Sequence, residues 1–324
     1  MQGADRMQKP LLWVTFHLPQ ELLEPIKSYV DVKMWQDPEF DMPQDEFEAA
    51  AQEADILWTV VSNQVTADVI KRAPKLKMIA NLAVGYNNID TEAATEAGII
   101  VTNTPDVLAD TTADLAFLLM MMAARRTLEG ARALYQGQWK GWQVLGMTGM
   151  DIHHKTLGII GMGTIGELVA KRATGFDMNV IYHNRHEKPN AYGAQYRSKE
   201  DLLREADFII VLTPLTPATR NLITKEELAL MKKSAMLINV ARGGIVNEDD
   251  LYEALIKGDI LAAASDVFVE EPVPTKHPLL TLANFTALPH LGSATVETRL
   301  GMVSRNVESL LAYFNKHSIP FRVV

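Results

Sequence analysis

Short apolar runs alternate along most of this chain with segments whose apolar positions recur at helical spacing. Residues 11–16, 30–34, 56–61, 78–82 and 99–101 read as strands, and 20–28, 45–54, 66–73 and 91–97 between them read as helices, with helix-start residues at Thr66 and Asp90. Such alternation predicts a parallel sheet covered on both faces. Pro105 disfavours helix at Thr104 and ends the first alternation. From Asp110 a helical pattern without a strand continues to about residue 136, predicting one long helix as a spine between two domains. Its apolar stretch 113–124 is too short to span a bilayer and reads as a buried helix. A second alternation then has strands at 156–160, 180–182, 208–212, 236–240, 261–267 and 285–288, with helices at 199–205, 225–232 and 248–257. It predicts a doubly wound domain of about six strands. Met302, Val303, Val307, Leu310, Leu311 and Phe314 mark one last amphipathic helix over 295–315, expected to return to the first domain.

The second alternation opens on KTLGIIGMGTIG, residues 155–166: an apolar strand, a glycine turn and a helix start in immediate succession. Gly161 permits the tight turn, Gly163 lets a pyrophosphate approach the backbone, and Gly166 lets the helix pack closely on the strand. Backbone N–H groups and the helix dipole then face an anion, with Thr164 and Ile165 in the first turn. A bare strand-to-helix turn is the alternative. The expected architecture is α/β, with two doubly wound parallel-sheet domains: a Rossmann-type cofactor domain over 104–291, and a flavodoxin-like substrate domain over 1–103 plus 292–324.

Composition removes several functions. The formal charge of −9 and pI near 5.4 disfavour nucleic acid or an anionic membrane as partner. With no cysteine there can be no disulfide, zinc–thiolate site or thiol nucleophile. The first ten residues lack the basic start and apolar core of a signal peptide, so we expect a disordered leader and a cytoplasmic protein, with no regulatory domain after the last helix. Residues 137–151 hold Trp139, Trp142, Leu145, Met147 and Met150 among several glycines, too apolar for a free loop. They fold over their own domain or meet a second subunit.

An acidic side chain ~20 residues beyond such a glycine turn usually accepts from the ribose hydroxyls of NAD. Here the stretch is Tyr182-His183-Asn184-Arg185-His186, without a carboxylate before Glu187. Asn184 can donate and Arg185 can fork onto a phosphate dianion, which favours NADP(H); alternatively Arg185 stacks on adenine and both cofactors bind. His183 with His186, or His153 with His154, could suggest a metal, but no carboxylate cluster completes either set, and none is expected. Three ionisable residues follow later strands: Arg242 in INVARGGIV, Glu271 in SDVFVEEP and His290 in ALPHLGSAT. Arg242 suits a carboxylate substrate, or a structural salt bridge. Glu271 and His290 in one cleft would make a proton-transfer pair.

Together with GMGTIG, these three motifs resemble the D-isomer-specific 2-hydroxyacid dehydrogenases. VGYNNID at 84–90 and TPDVLADTTADLAF at 104–117 extend the likeness over nearly the whole chain. DIHHKTLGIIGMG, YHNR, VNEDDLYEAL and HPLLTLANF most resemble the glyoxylate/hydroxypyruvate reductases and the related 2-ketogluconate reductases. The missing ribose carboxylate separates the chain from the NAD-linked phosphoglycerate dehydrogenases.

The resemblance implies an NADPH-preferring reductase of glyoxylate and hydroxypyruvate. Arg242 would bind the substrate carboxylate and polarise the keto oxygen; His290 would protonate that oxygen as hydride reaches the carbon; Glu271 would hold His290 protonated. The backbone of Val84 and Gly85 would grip the carboxylate from the other side, with Ser62 and Asn63 lining the pocket. Gly163, Thr164 and Ile165 would hold the pyrophosphate, and Asn184 with Arg185 the 2′-phosphate. Thr213 and Pro214 would flank adenosine, Val240, Ala241 and Arg242 the nicotinamide ribose, and Leu108 and Thr112 the nicotinamide, whose carboxamide Asp266 would orient. The family also implies a homodimer through the cofactor domain; as our own hypothesis, Trp142 would reach toward the partner's pocket. Rivals are a 2-ketogluconate reductase and a nucleotide-sensing corepressor-like binding protein.

Overall fold

The computed structural model describes residues 9–188 and 192–324. Residues 1–8 of the expected leader lie outside the described residues. Two compact units emerge: one takes the chain up to Leu108 and returns for Thr295–Val324, and the other is Ala109–Ala294.

In the first unit, β1 (Leu11–Val14), β2 (Asp31–Met34), α1 (Gln44–Glu53), β3 (Ile56–Thr59), α2 (Ala67–Lys71), β4 (Met78–Asn81), α3 (Thr91–Glu96) and β5 (Ile100–Thr102) follow in order. The sheet is parallel, in the order β2-β1-β3-β4-β5, which is the flavodoxin-like order. Its central strands β3 and β4 are buried at every position, the signature of a sheet covered on both faces. Thr66 and Asp90 cap α2 and α3 by accepting from the Val69 and Ala93 N–H groups. The helix expected over 20–28 contracts to a 3₁₀ turn, Gln20–Leu23.

The helical stretch after Asp110 is not one helix. α4 (Ala109–Ala124) and α5 (Thr127–Tyr135) are separated at Arg126, whose φ of 51° is left-handed and cannot continue a helix. The Arg126 guanidinium holds that break by pairing with Glu129 and donating to the Thr148 carbonyl. Helical composition on both sides conceals the interruption. α4 packs on the second unit's own core, where Ala113, Ala116, Leu119 and Met120 are buried.

The remaining elements of this unit are β6 (Thr156–Ile160), α6 (Thr164–Thr174), β7 (Asn179–His183), β8 (Gln195–Tyr196), α7 (Lys199–Glu205), β9 (Phe208–Val211), α8 (Lys225–Leu228), β10 (Met236–Asn239), α9 (Glu248–Lys257), β11 (Ala262–Ser265) and β12 (Phe285–Ala287). They form a seven-stranded parallel sheet in the order β12-β11-β10-β9-β6-β7-β8. β8 is the strand beyond the expected six; at two residues, with no apolar run, it carries no sequence signal. The direction of winding reverses between β6 and β9, so the crevice for a ligand opens at the carboxyl ends of those strands. The final helix, α10 (Val296–Phe314), is capped by the Thr295 side chain and belongs to the first unit.

Trp139, Trp142, Val144 and Leu145 are 62–83% exposed, so these side chains are not covered by their own unit, whereas Met150 packs on its core. No helix among the described residues is long and apolar enough to cross a membrane.

Candidate active site

The glycine turn occupies the reversal point. Gly161 has φ +106°, and a Cβ there would stand 2.8 Å from the backbone of Leu212 and Thr213, just past β9. Only glycine satisfies both demands. A Cβ at Gly163 would meet nothing within 4 Å. Gly163 and Thr164 are exposed, Gly166 is buried, and α6 begins without a side-chain cap. The N–H groups of Thr164 and Ile165 therefore remain available to an anion. Nearby, the Thr213 hydroxyl is buried without a partner among the described residues, and Pro214 is exposed. An open backbone cradle with an orphaned hydroxyl beside it fits a dinucleotide.

At the end of β7 the side chains divide their work. Asn184 accepts from the Met162 N–H at 2.7 Å and donates to the Met162 carbonyl, so its amide ties β7 to the glycine turn. His183 turns toward β8: Nδ1 donates to the Arg197 carbonyl and the ring stacks on Tyr196. Arg185 is exposed, without an ion pair among the described residues.

Arg242, Glu271 and His290 come together beyond β10, β11 and β12. Glu271 Oε2 lies 2.6 Å from His290 Nδ1, with the two side chains 31% and 29% exposed. Oε1 accepts from the Phe268 N–H at 2.8 Å, which fixes the carboxylate's rotation. Burial pulls the Glu271 pKa upward, but the His290 hydrogen bond and charge, the Phe268 N–H and the Arg242 charge outweigh it and hold the carboxyl below its ordinary value. Burial lowers the Arg242 pKa against the opposing pull of Glu271; a guanidinium keeps its charge nonetheless. Its Nη1 donates to the Ala241 carbonyl, while Asn239 holds the backbone on either side, donating to the Arg242 carbonyl and accepting from the Ala241 N–H. Val240 and Ala241 are buried.

His290 has φ +53°, a left-handed conformation that costs a non-glycine residue about 1–2 kcal/mol. Asp266 maintains it. The Asp266 carbonyl accepts from the His290 N–H, and its two carboxylate oxygens accept from the Leu291 and Gly292 N–H groups at 2.7 and 2.8 Å. Burial raises the Asp266 pKa against those bonds and the His290 charge. From α4, Thr112 donates to the Gly292 carbonyl. Asp266 and Thr112 thus hold the histidine loop, a job that sequence reasoning missed along with those of Asn239 and the Phe268 N–H. A polar residue closing an apolar strand, as Asn239 does, was the available signal.

The first unit has its own cluster at its reversal point, between β1 and β3. Asn63 Oδ1 accepts from the Thr15 hydroxyl and the Val60 N–H, with Ser62 beside it half-buried. After β4, the carbonyls of Ala83, Val84 and Gly85 accept from the Thr104 N–H, Asn103 Nδ2 and Asn81 Nδ2. The Val84 and Gly85 N–H groups have no partner among the described residues. Leu108 is buried and Trp142 is 81% exposed. No group of three or more potential metal ligands occurs among the described residues.

The chain is similar to known proteins over most of its length. The profile of the D-isomer specific 2-hydroxyacid dehydrogenase NAD-binding domain matches residues 117–292. A glyoxylate reductase of Aeropyrum pernix is 44% identical over 314 residues, covering 95% of this chain and 93% of that one. The crystal structure of the TT0316 protein from Thermus thermophilus superposes with a TM-score of 0.89 at 41% identity, over 97% of this chain and 100% of that one. An NADPH-dependent glyoxylate/hydroxypyruvate reductase from Sinorhizobium meliloti, solved with NADP and malonate, has a TM-score of 0.87 at 28% identity, over 98% of this chain and 97% of that one.

Proposed function

Because the chain belongs to the D-isomer-specific 2-hydroxyacid dehydrogenase family, we propose that it reduces small 2-keto acids, glyoxylate and hydroxypyruvate, to D-2-hydroxy acids, preferring NADPH. The observation that carries this reading is the 2.6 Å Glu271–His290 pair, with Arg242 acting on the same carboxylate. When bound, the nicotinamide supplies a hydride to the carbonyl carbon. His290 supplies the matching proton to the carbonyl oxygen, so one hydride and one proton convert the keto acid to the hydroxy acid. Glu271 aims the imidazole through Nδ1, leaving Nε2 for substrate. Arg242 pairs with the substrate carboxylate and draws charge onto the keto oxygen.

The remaining roles follow from local chemistry. Val84 and Gly85, with their N–H groups uncommitted, bind carboxylate, and Ser62 and Asn63 shape the turn beside β3. Arg185 meets the 2′-phosphate, with Asn184 setting the turn's geometry. Residues 1–103 with 292–324 form the substrate domain and 104–291 the cofactor domain. The exposed Trp139, Trp142 and Leu145 are covered by a second copy of the chain, toward whose pocket Trp142 reaches; the dimer works in the cytoplasm. Unchanged KM and kcat in Trp142→Ala would remove that last role.

The test is loss of nicotinamide absorbance with glyoxylate or hydroxypyruvate, using NADPH and NADH side by side. Fast NADPH and slow NADH oxidation is expected. Equal rates would remove the phosphate argument, and no turnover with either would remove the reaction.

A further inference from the structure

A second carboxylate–imidazole pair stands behind the first. Glu248, the first residue of α9, accepts at Oε2 from His277 Nε2 at 3.2 Å, and the two side chains are 20% and 17% exposed. Its Oε1 accepts from the Val269 N–H at 2.8 Å. The preceding N–H, that of Phe268, is the donor that fixes Glu271. Two glutamates therefore grip successive N–H groups of one loop, and each holds a histidine with its other oxygen. The Phe268 ring packs edge-on against His277, with centroids 5.7 Å apart. On the carbonyl side, a Cβ at Gly243 would lie 1.9 Å from the Phe268 oxygen, so the loop rests directly on the backbone next to Arg242. The peptide from Phe268 to Val269 is thus enclosed by the Arg242 loop, Glu271 and Glu248. The cost of placing Glu248 there is offset by the N-terminus of α9 and by two hydrogen bonds.

We infer that the Glu248–His277 pair is a positioning device: by fixing the Phe268–Val269 peptide it sets the Glu271 carboxylate on His290, and so sets the proton donor of the reaction. The inference rests on the reading of His290 as that donor. The charged groups acting on Glu271 itself are His290 and Arg242, with Asp266 as the like-charged neighbour. Glu248 reaches it only through the peptide. Loss of Glu248 frees the Val269 N–H and the loop, and weakens the two bonds that lower the Glu271 pKa, while its burial persists.

The test compares wild type, Glu248→Ala, Glu271→Gln and the double variant in glyoxylate reduction by NADPH. Glu248→Ala is expected to lower kcat about tenfold, to leave KM for NADPH within about twofold, and to move the acid limb of the pH profile, set by Glu271, to higher pH. In the Glu271→Gln background the same change should cost less than about threefold, since the residue it acts through is already altered. Equal fold losses in both backgrounds would overturn the inference. His277→Phe, which retains the ring against Phe268 and removes the donor, should follow Glu248→Ala at smaller amplitude. Glu248→Gln, retaining an acceptor for the Val269 N–H, should recover part of the rate.

A second readout needs no turnover. Carbon-detected NMR titration of the Glu271 carboxyl should move upward in Glu248→Ala, toward the ordinary carboxylate value. An unmoved midpoint would overturn the inference. If wild type reduces no 2-keto acid while the midpoint still moves, the assigned reaction fails and the positioning stands. Should the alanine variant not fold, Glu248→Gln and His277→Phe carry the same measurements, and unshifted profiles and midpoints in both would be decisive against it.

Discussion

The turns after β3 and β4 in the first unit and those after β11 and β12 in the second hold backbone in different ways. In the first, amides do the work: the buried Asn63, Asn81 and Asn88 and the half-buried Asn103 each bond to loop backbone. In the second, ionisable groups do it: Asp266 holds the histidine loop, Glu271 the Phe268 N–H and Glu248 the Val269 N–H. An amide holds a turn with the same strength at any ordinary pH and leaves spare N–H groups for an anion. A partly buried carboxylate is costlier, and is sustained by several donors at once. The contrast sets charged holders around the Glu271–His290 pair and neutral ones around the uncommitted Val84 and Gly85 N–H groups.

The severest challenge to that contrast is His290→Gln. Turnover should fall by ~10²–10⁴-fold, with the thermal unfolding midpoint nearly unchanged because the side chain is partly exposed. Near-normal kcat would end the assignment of the proton to His290. The pH profile sharpens the same point. The Glu271 pKa is lowered, so its pairing is complete above the ordinary carboxylate range and is lost only as pH falls through the lowered folded value. The reaction's acid limb should therefore lie below the range of a free glutamate, and in Glu271→Gln that limb should disappear.

Asn81→Ala should act oppositely. It removes the donor to the Gly85 carbonyl and the acceptor for the Thr59 hydroxyl in a fully buried setting, at about 1–3 kcal/mol of stability in denaturant unfolding. KM for the keto acid should rise while the positions of the pH limbs stay fixed. A moved limb would break the contrast. Arg185→Ala tests a charge serving a ligand alone: KM for NADPH should rise about tenfold, with that for NADH unchanged.

The smallest expected effect is at Glu227, remote from the site. Burial raises its pKa, but Lys199 and Thr224 bring it down to about 2 from a reference of 4.5. After allowance for solvent screening, Glu227→Gln should cost about 1 kcal/mol. A depressed carboxylate pKa gives stability that is complete above 4.5 and is lost as pH falls toward 2. The difference between wild-type and variant unfolding should accordingly shrink over that interval. A loss as large as that of Asn81→Ala would show that a half-buried ion pair matters as much to this fold as a buried amide.

Much of the site was legible because its residues sit in short strings that end apolar strands. Gly161, Arg242, Glu271 and His290 each follow such a run, and strand ends are where parallel sheets bind ligands. Other features depend on partners far along the chain. The tie between Asn184 and Met162, the two backbone bonds of Asp266 and the left-handed break at Arg126 leave no periodic trace in sequence. β8 is only two residues long and too short to show a period of two.

The two alternating βα halves, the glycine turn and the types of charge available are written in the local pattern of residues. Hydrophobic period and the stereochemistry of glycine act locally, so they can be read locally. Which groups meet is set by the completed fold: His290 with Glu271 across 19 residues, Glu248 with His277 across 29, and Gly243 against the Phe268 carbonyl. Parallel strand order brings distant strand ends side by side, and hydrogen bonds shorter than about 3.2 Å form only between groups that the completed sheet has already placed.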